Sequence, residues 1–253
     1  MKNLAIVTWT HTEMEDVFPV YFGNLKKHFP EHLSFNNYVL INKLSEKISD
    51  DYTQLVNDDK DSYFSRWLSC LEYVKDDYFL YLQEDFILFD NVNFSELERC
   101  FNYLNNSNCS CIRFVRSNLN NLNSKEDHNI YKISHDENPD LSFTQVASIW
   151  RKEDFIKVMD GLRPLTFRDL EAGGDFPGSR IMKNFGFNSC FYFDESSTQR
   201  KLFEKYDSHW DDKCFPYTAT SIVEGKWNMQ YSKEIDLFSK EYGFNIKERG
   251  TIN

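Results

Sequence analysis

The sequence predicts an α/β protein, a single Rossmann-type domain whose central, mostly parallel mixed sheet is flanked by helices. Three observations carry that expectation. The apolar runs at 4–9, 38–42 and 78–82 are continuous rather than alternating, as strands covered on both faces are. Segments of helical spacing separate them, giving the order β-α-β-α-β from which parallel sheets are built. No repeat or low-complexity linker divides the 253 residues, a length suited to one large α/β domain.

Residues 4–9 read as the first strand. Thr10-His11-Thr12 is polar, and Val17, Phe18, Val20, Tyr21 and Leu25 then open a helix. Residues 38–42 are the second strand, and the Asp- and Asn-rich stretch 45–61 is expected as a loop with a weak helix. Residues 63–74 put Phe64, Trp67, Leu68 and Leu71 on one helical face and lead into the strand at 78–82. A helix over 94–104, a strand over 111–115 and an Asn-rich loop over 118–129 follow. Strands at 131–133 and 143–150 precede a helix over 153–159. A further helix over 171–185 is interrupted by Gly173-Gly174 and Pro177. A strand at 188–193 and a tail of mixed helical character at 231–242 complete the pattern.

Composition narrows the function classes. Hydrophobic residues make up 41% of the chain, and 23 Phe and 14 Tyr bury a large area per side chain, so a core can form. A net charge of −11 argues against nucleic acid as a partner, because phosphate backbones require a basic surface. The six cysteines are scattered and make no C-x-x-C pair of a zinc site. Cys109 and Cys111 would share one strand face at a spacing that strains a disulfide, so buried thiols of a cytoplasmic protein are expected. The N-terminus is too polar for a signal peptide, and no stretch approaches the roughly 20 apolar residues of a membrane span.

The most informative segment runs from Asp76 to Asp90. Tyr78-Phe79-Leu80-Tyr81-Leu82 ends in Gln83-Glu84-Asp85, and Phe86-Ile87-Leu88 is apolar again. In an open α/β sheet, ligands collect just outside the carboxyl ends of the strands. Acids placed there can hold a divalent cation and, through it, phosphate oxygens. An edge strand turning into solvent would also end in such acids.

Several landmarks coincide: the buried first strand, Ser65-Arg66-Trp67 on the helix before the acidic turn, the Gln83-Glu84-Asp85-Phe86 turn, and the strand-to-helix unit from Gln145 to Phe155. As a set, over roughly residues 1–230, they resemble nucleotide-sugar-dependent glycosyltransferases of the GT-A fold. The likeness is closest to small bacterial and viral members with a QED turn in place of Asp-x-Asp. The resemblance implies a nucleotide-binding half (1–117), an acceptor or pocket half (118–230) and a C-terminal tail (231–253).

It also implies roles. Asp85 matches the last acid of Asp-x-Asp, the usual ligand of Mn2+ or Mg2+, with Glu84 beside it. Gln83 stands where the first acid would be; its amide can bond a ribose hydroxyl but brings no charge to a cation, so metal dependence stays open. Without a metal, Arg66, Arg180 or Lys226 would neutralise the leaving diphosphate. Thr8, Thr10 and His11 would lie near the nucleotide base. Trp150 matches an aromatic that closes the donor-sugar side, a core position being the alternative. The acceptor hydroxyl needs a base. Glu171 is the first candidate, with Asp169 and Asp175 as rivals; helix-start acids that stabilise the macrodipole are the alternative.

Two other acidic groups attract less chemistry. Asp50, Asp51, Asp58, Asp59 and Asp61 lack the spacing and central glycine of a calcium loop and read as a solvated loop. His209, near Asp211 and Asp212, could complete a metal shell as a C-terminal His does in some relatives. The resulting expectation is an inverting transfer of a sugar from a nucleoside-diphosphate sugar to a glycan, lipid-linked or protein acceptor. A retaining transfer, a nucleotidyltransferase and a non-catalytic nucleotide-sugar or glycan-binding protein are the alternatives. Thr8-Trp9-Thr10-His11-Thr12 counts against the nucleotidyltransferase, since it is not the glycine-rich phosphate loop such an enzyme would carry after its first strand.

Overall fold

The computed structural model describes residues 1–116, 124–134, 142–166, 176–201 and 208–252. Its main sheet contains β1 (Leu4–Trp9), β2 (Asn36–Ile41), β3 (Thr53–Val56), β4 (Tyr78–Gln83), β5 (Cys109–Arg113), β6 (Lys125–Asp127), β7 (Ile130–Lys132), β8 (Ser148–Arg151) and β9 (Asn188–Tyr192). The spatial order is β3-β2-β1-β4-β8-β5-β9-β7-β6. β3, β2, β1 and β4 run parallel to one another, whereas β8 is antiparallel to both β4 and β5. The chain leaves β1 for β2 and β3 on one side, then returns to β4 on the other. That reversal makes the carboxyl ends of β1 and β4 the switch point of the sheet, the place where open α/β sheets bind ligands.

The helices are α1 (Phe18–His28), α2 (Tyr63–Leu71), α3 (Phe94–Asn106), α4 (Lys152–Leu162), α5 (Pro177–Phe185), α6 (Ser232–Tyr242) and α7 (Ile246–Arg249). α2 starts where the Ser62 hydroxyl accepts the Ser65 N–H, and α3 where Asn93 accepts from Glu96; both are N-caps. α2 buries Phe64, Trp67, Cys70 and Leu71. Trp67 lies 5.2 Å from the Phe155 ring on α4, so this face joins the sheet to α4. β10 (Gln199–Lys201) and β11 (Ser208–Trp210) pair in a hairpin. β12 (Ile222–Val223), β13 (Lys226–Asn228) and β14 (Thr251–Ile252) form a small third sheet.

A second apolar cluster lies apart from the main core. Val17, Val20, Ile87, Trp227, Tyr231, Ile235 and Phe238 bring the start of α1, the residues after β4 and the C-terminal segment together. α6 ends at Gly243, whose φ of +69° is the left-handed conformation that terminates helices.

The structure corrects several expectations. The 45–61 stretch holds β3, an edge strand too short and too polar for apolar periodicity to reveal. Of the strand expected over 143–150, only 148–150 falls within β8, which runs on to Arg151. The helix begun at Tyr63 stops at Leu71, and the described part of the helix expected over 171–185 begins at Pro177. All six cysteines are buried free thiols. Among the described residues, no helix is long and apolar enough to cross a membrane.

Candidate functional site

Register places the acidic turn beside the end of β1, with Trp9 opposite Gln83. The turn closes by a 3.0 Å bond from the Phe86 N–H to the Gln83 carbonyl. Leu82 is fully buried before it, and Phe86, Ile87 and Leu88 are buried after it. With both flanks fixed in apolar surroundings, the intervening acids stay at the rim of the sheet, partly exposed.

Residues far along the chain hold this turn. The hydroxyls of Ser221 and Thr218 donate to the Asp85 carbonyl at 2.6 and 3.2 Å. Thr218 Oγ1 also accepts from the Ile87 N–H at 3.1 Å. Backbone pairing of Thr218 with Ile87 and of Leu88 with Tyr217 completes the clamp. Neither hydroxyl stands out by residue type, so sequence reasoning missed both.

The two carboxyl groups are enclosed, although their residues keep part of their surface in solvent. Burial is the main force pushing Glu84 up to about 7, against its own backbone N–H, the nearby Thr10 hydroxyl and the charges of Arg249 and His11. Asp85 is pushed well above the carboxylate range, first by burial and then by the charge of Glu84. Among the described residues, Asp85 Oδ1 is buried with no hydrogen-bond partner. Gln83 does not fill that place, because its Nε2 donates to the Tyr81 hydroxyl.

Beyond β1 and β2, polar side chains converge on Asp59. His11 Nε2 lies 3.3 Å from its Oδ2, Asn42 donates to that oxygen at 3.0 Å, and Arg66 Nη1 donates to Oδ1 at 2.7 Å. Burial tends to raise the Asp59 carboxyl, but these bonds and the His11 and Arg66 charges bring it below its usual value. Arg66 also lies 5.1 Å from the Trp9 ring, which stacks on Trp67 at 5.1 Å. Arg66 points away from the α2 core, as its helical position requires. Asp59, read in the sequence as a solvated acid, is the hub of this cluster.

Other candidates fall elsewhere. Thr8 is 1% exposed, and its hydroxyl is 2.8 Å from that of Tyr21, so it faces α1 rather than a ligand. Trp150 is 2% exposed, with Phe143 and Phe155 rings at 5.8 and 5.1 Å; it is core, with no face open to a sugar. Thr10 is buried beside Glu84. Lys226 is exposed on β13, and Arg180 lies on the exposed face of α5. Asp169, Glu171 and Asp175 lie outside the described residues, as does the side chain of His209.

Among the described residues, no three His, Cys, Asp or Glu side chains gather into a metal cage. Glu84 and Asp85 nevertheless fit a hard divalent ion. Such ions bind through one or two carboxylates while substrate phosphates and water complete the shell. The orphaned Oδ1 and the unfavourable packing of two acids are both relieved by a cation.

No family model matches the sequence, and no curated protein matches it. Solved structures do share the fold. GalNAc-T7 with UDP, GalNAc and Mn2+ superposes with a TM-score of 0.51 at 10% identity, over 75% of this chain and 42% of that one. TarS 1–349 from S. aureus gives 0.45 at 11% identity, over 97% and 68%. The bifunctional IspDF of Campylobacter jejuni gives 0.43 at 12% identity, over 76% and 50%. The chain thus spans half or less of the length of IspDF and GalNAc-T7. At such identities the likeness is one of fold alone: the chain shares with GalNAc-T7 a Rossmann-like α/β architecture of GT-A type, a mixed central sheet flanked by helices.

Proposed function

We propose that this protein is a glycosyltransferase that transfers a sugar from a nucleoside-diphosphate sugar to a hydroxyl acceptor on a glycan, lipid or protein. The observation that carries the reading is the clamped Glu84-Asp85 turn at the switch point of the sheet, with Asp85 Oδ1 buried and unpartnered among the described residues. The nucleoside would occupy the side near His11, Asp59 and Arg66, and the diphosphate the rim before Glu84 and Asp85. Mn2+ or Mg2+, when bound by these two carboxylates, supplies positive charge to the departing diphosphate. Trp9, packed against Arg66 and Trp67, would keep water from one wall of the nucleoside site. The base that deprotonates the acceptor would come from Glu171, Asp169 or Asp175, which makes the transfer inverting.

Calorimetric titration of uridine diphosphate in the presence of Mn2+ tests the binding half; the fold match to a UDP complex makes this the first probe. Asp85→Asn should weaken binding roughly 10- to 150-fold, the worth of a hydrogen bond to a charged group. Unchanged affinity for both uridine and guanosine diphosphates would sink the reading. Because Gln83 is engaged with Tyr81 and adds no charge, a binding-only protein is the second reading. Turnover separates them: sugar release from a donor panel should be lost in Glu171→Gln while donor binding persists.

A further inference from the structure

The C-terminal segment brings to the rim a cation that the main sheet does not provide. β14 pairs in parallel with β13, Trp227 opposite Thr251. The Trp227 N–H donates to the Gly250 carbonyl at 3.0 Å, and the Trp227 ring stacks on Phe244 at 4.9 Å. This anchoring sets Arg249, the last residue of α7, against the turn that follows β1.

All three nitrogens of the Arg249 guanidinium have partners. Nε donates to Asp16 Oδ2 at 3.0 Å, and Nη2 pairs with Oδ1 of the same carboxylate. Nη1 donates to the Gly225 carbonyl at 3.0 Å and lies 3.5 Å from Met14 Sδ. The Arg249 side chain is 11% exposed, whereas its partner Asp16 is 56% exposed. Met14 and Ile246 pack on the apolar cluster that holds Ile87, two residues past Asp85, so Arg249 sits on the side of the rim that carries the acidic turn, and its charge reaches Glu84.

This arrangement is lopsided. A mostly buried arginine beside the rim is neutralised by one carboxylate that water already solvates well, and such exposed pairs contribute little. A diphosphate offers more charge and the oxygen geometry that a guanidinium forks onto. We infer, on the reading that the cleft takes a nucleoside diphosphate, that Arg249 is a diphosphate-binding residue which Asp16 holds in position until the anion displaces it. The bond to Gly225 would keep the guanidinium oriented during the exchange.

The test uses the full chain titrated by calorimetry with uridine diphosphate, guanosine diphosphate and the two free nucleosides, at fixed Mn2+. Arg249→Gln should weaken diphosphate binding about 10- to 100-fold, as loss of a charge-assisted bond does, and leave nucleoside binding within about threefold. Arg249→Lys, which keeps the charge without the fork, should fall between. Asp16→Asn breaks the same ion pair but removes the competitor, so it should tighten diphosphate binding a few fold, roughly the worth of an exposed pair. Opposite signs for Arg249→Gln and Asp16→Asn separate a ligand contact from a scaffold. Equal losses of nucleoside and diphosphate in Arg249→Gln, unchanged diphosphate binding, or a weakening in Asp16→Asn would each overturn the inference. A wild-type chain that binds neither diphosphate brings down the functional reading itself, a distinguishable result.

Discussion

Replacing Glu84 by Gln tests whether the acidic turn is strained for function. Burial pushes this carboxyl from its ordinary 4.5 up to about 7. Between those values the folded state holds the proton while the unfolded chain has released it. Stability from this group is therefore full below about pH 4.5 and is lost as pH rises toward 7. The shift of about 2.5 (7 minus 4.5) corresponds to about 3 kcal/mol at 1.36 kcal/mol per pH unit. Because the residue keeps part of its surface in water, about 2–3 kcal/mol is the working figure. Gln has nearly the same shape and cannot ionise, so Glu84→Gln should match wild type at pH 4 and exceed it by that amount at pH 8. For a chain of this size that is roughly 5–10 °C in Tm. The neighbouring Asp85, relieved of a like charge, would change in the same direction. Urea unfolding from pH 4 to 8 in EDTA is the assay. Parallel curves for the two proteins, or a variant less stable at pH 8, would refute the idea that this carboxylate is held against its solvation. Stabilisation accompanied by weaker nucleoside-diphosphate binding in Mn2+ is the trade-off expected of an active site.

Two further predictions concern the supports of the rim. Ser221→Ala removes the 2.6 Å bond to the Asp85 carbonyl; it should cost about 0.5–1.5 kcal/mol in urea unfolding and loosen uridine-diphosphate binding measurably. Asp212 is buried and accepts the Cys214 and Phe215 N–H groups, both at 2.7 Å. Asp212→Ala leaves those donors unpaired and should destabilise by at least about 1–3 kcal/mol. Asp212→Asn keeps the acceptor and sheds the buried acid that desolvation pushes up to about 8, so it should unfold no earlier than wild type at pH 8.

What the sequence reveals follows the range of the forces involved. β1 and β4 are legible because burial on both faces demands continuous apolar residues, and the acids at 83–85 stand out as the break in such a run. α2 is legible because Phe64, Trp67 and Leu71 repeat at helical spacing. β3 is hidden because an edge strand of four residues, two of them exposed, needs no such pattern. Trp150 misleads because an aromatic at the end of a strand has the same signature whether it closes a site or fills a core.

The site itself depends on contacts that periodicity cannot report. The Ser221 hydroxyl meets the Asp85 carbonyl across a separation of 136 residues, and Arg249 meets Asp16 across 233. Both contacts pass through the second apolar cluster, where Trp227, Tyr231 and Ile235 pack against Val17, Val20 and Ile87. One packing event thus seats the C-terminal segment, fixes the turn that carries Asp85 and delivers a guanidinium to the same rim. The acids are local features and the machinery that strains them is not. Variants in this cluster should therefore change the turn and Arg249 together, whereas variants in the Trp67–Phe155 core should lower stability without separating the two.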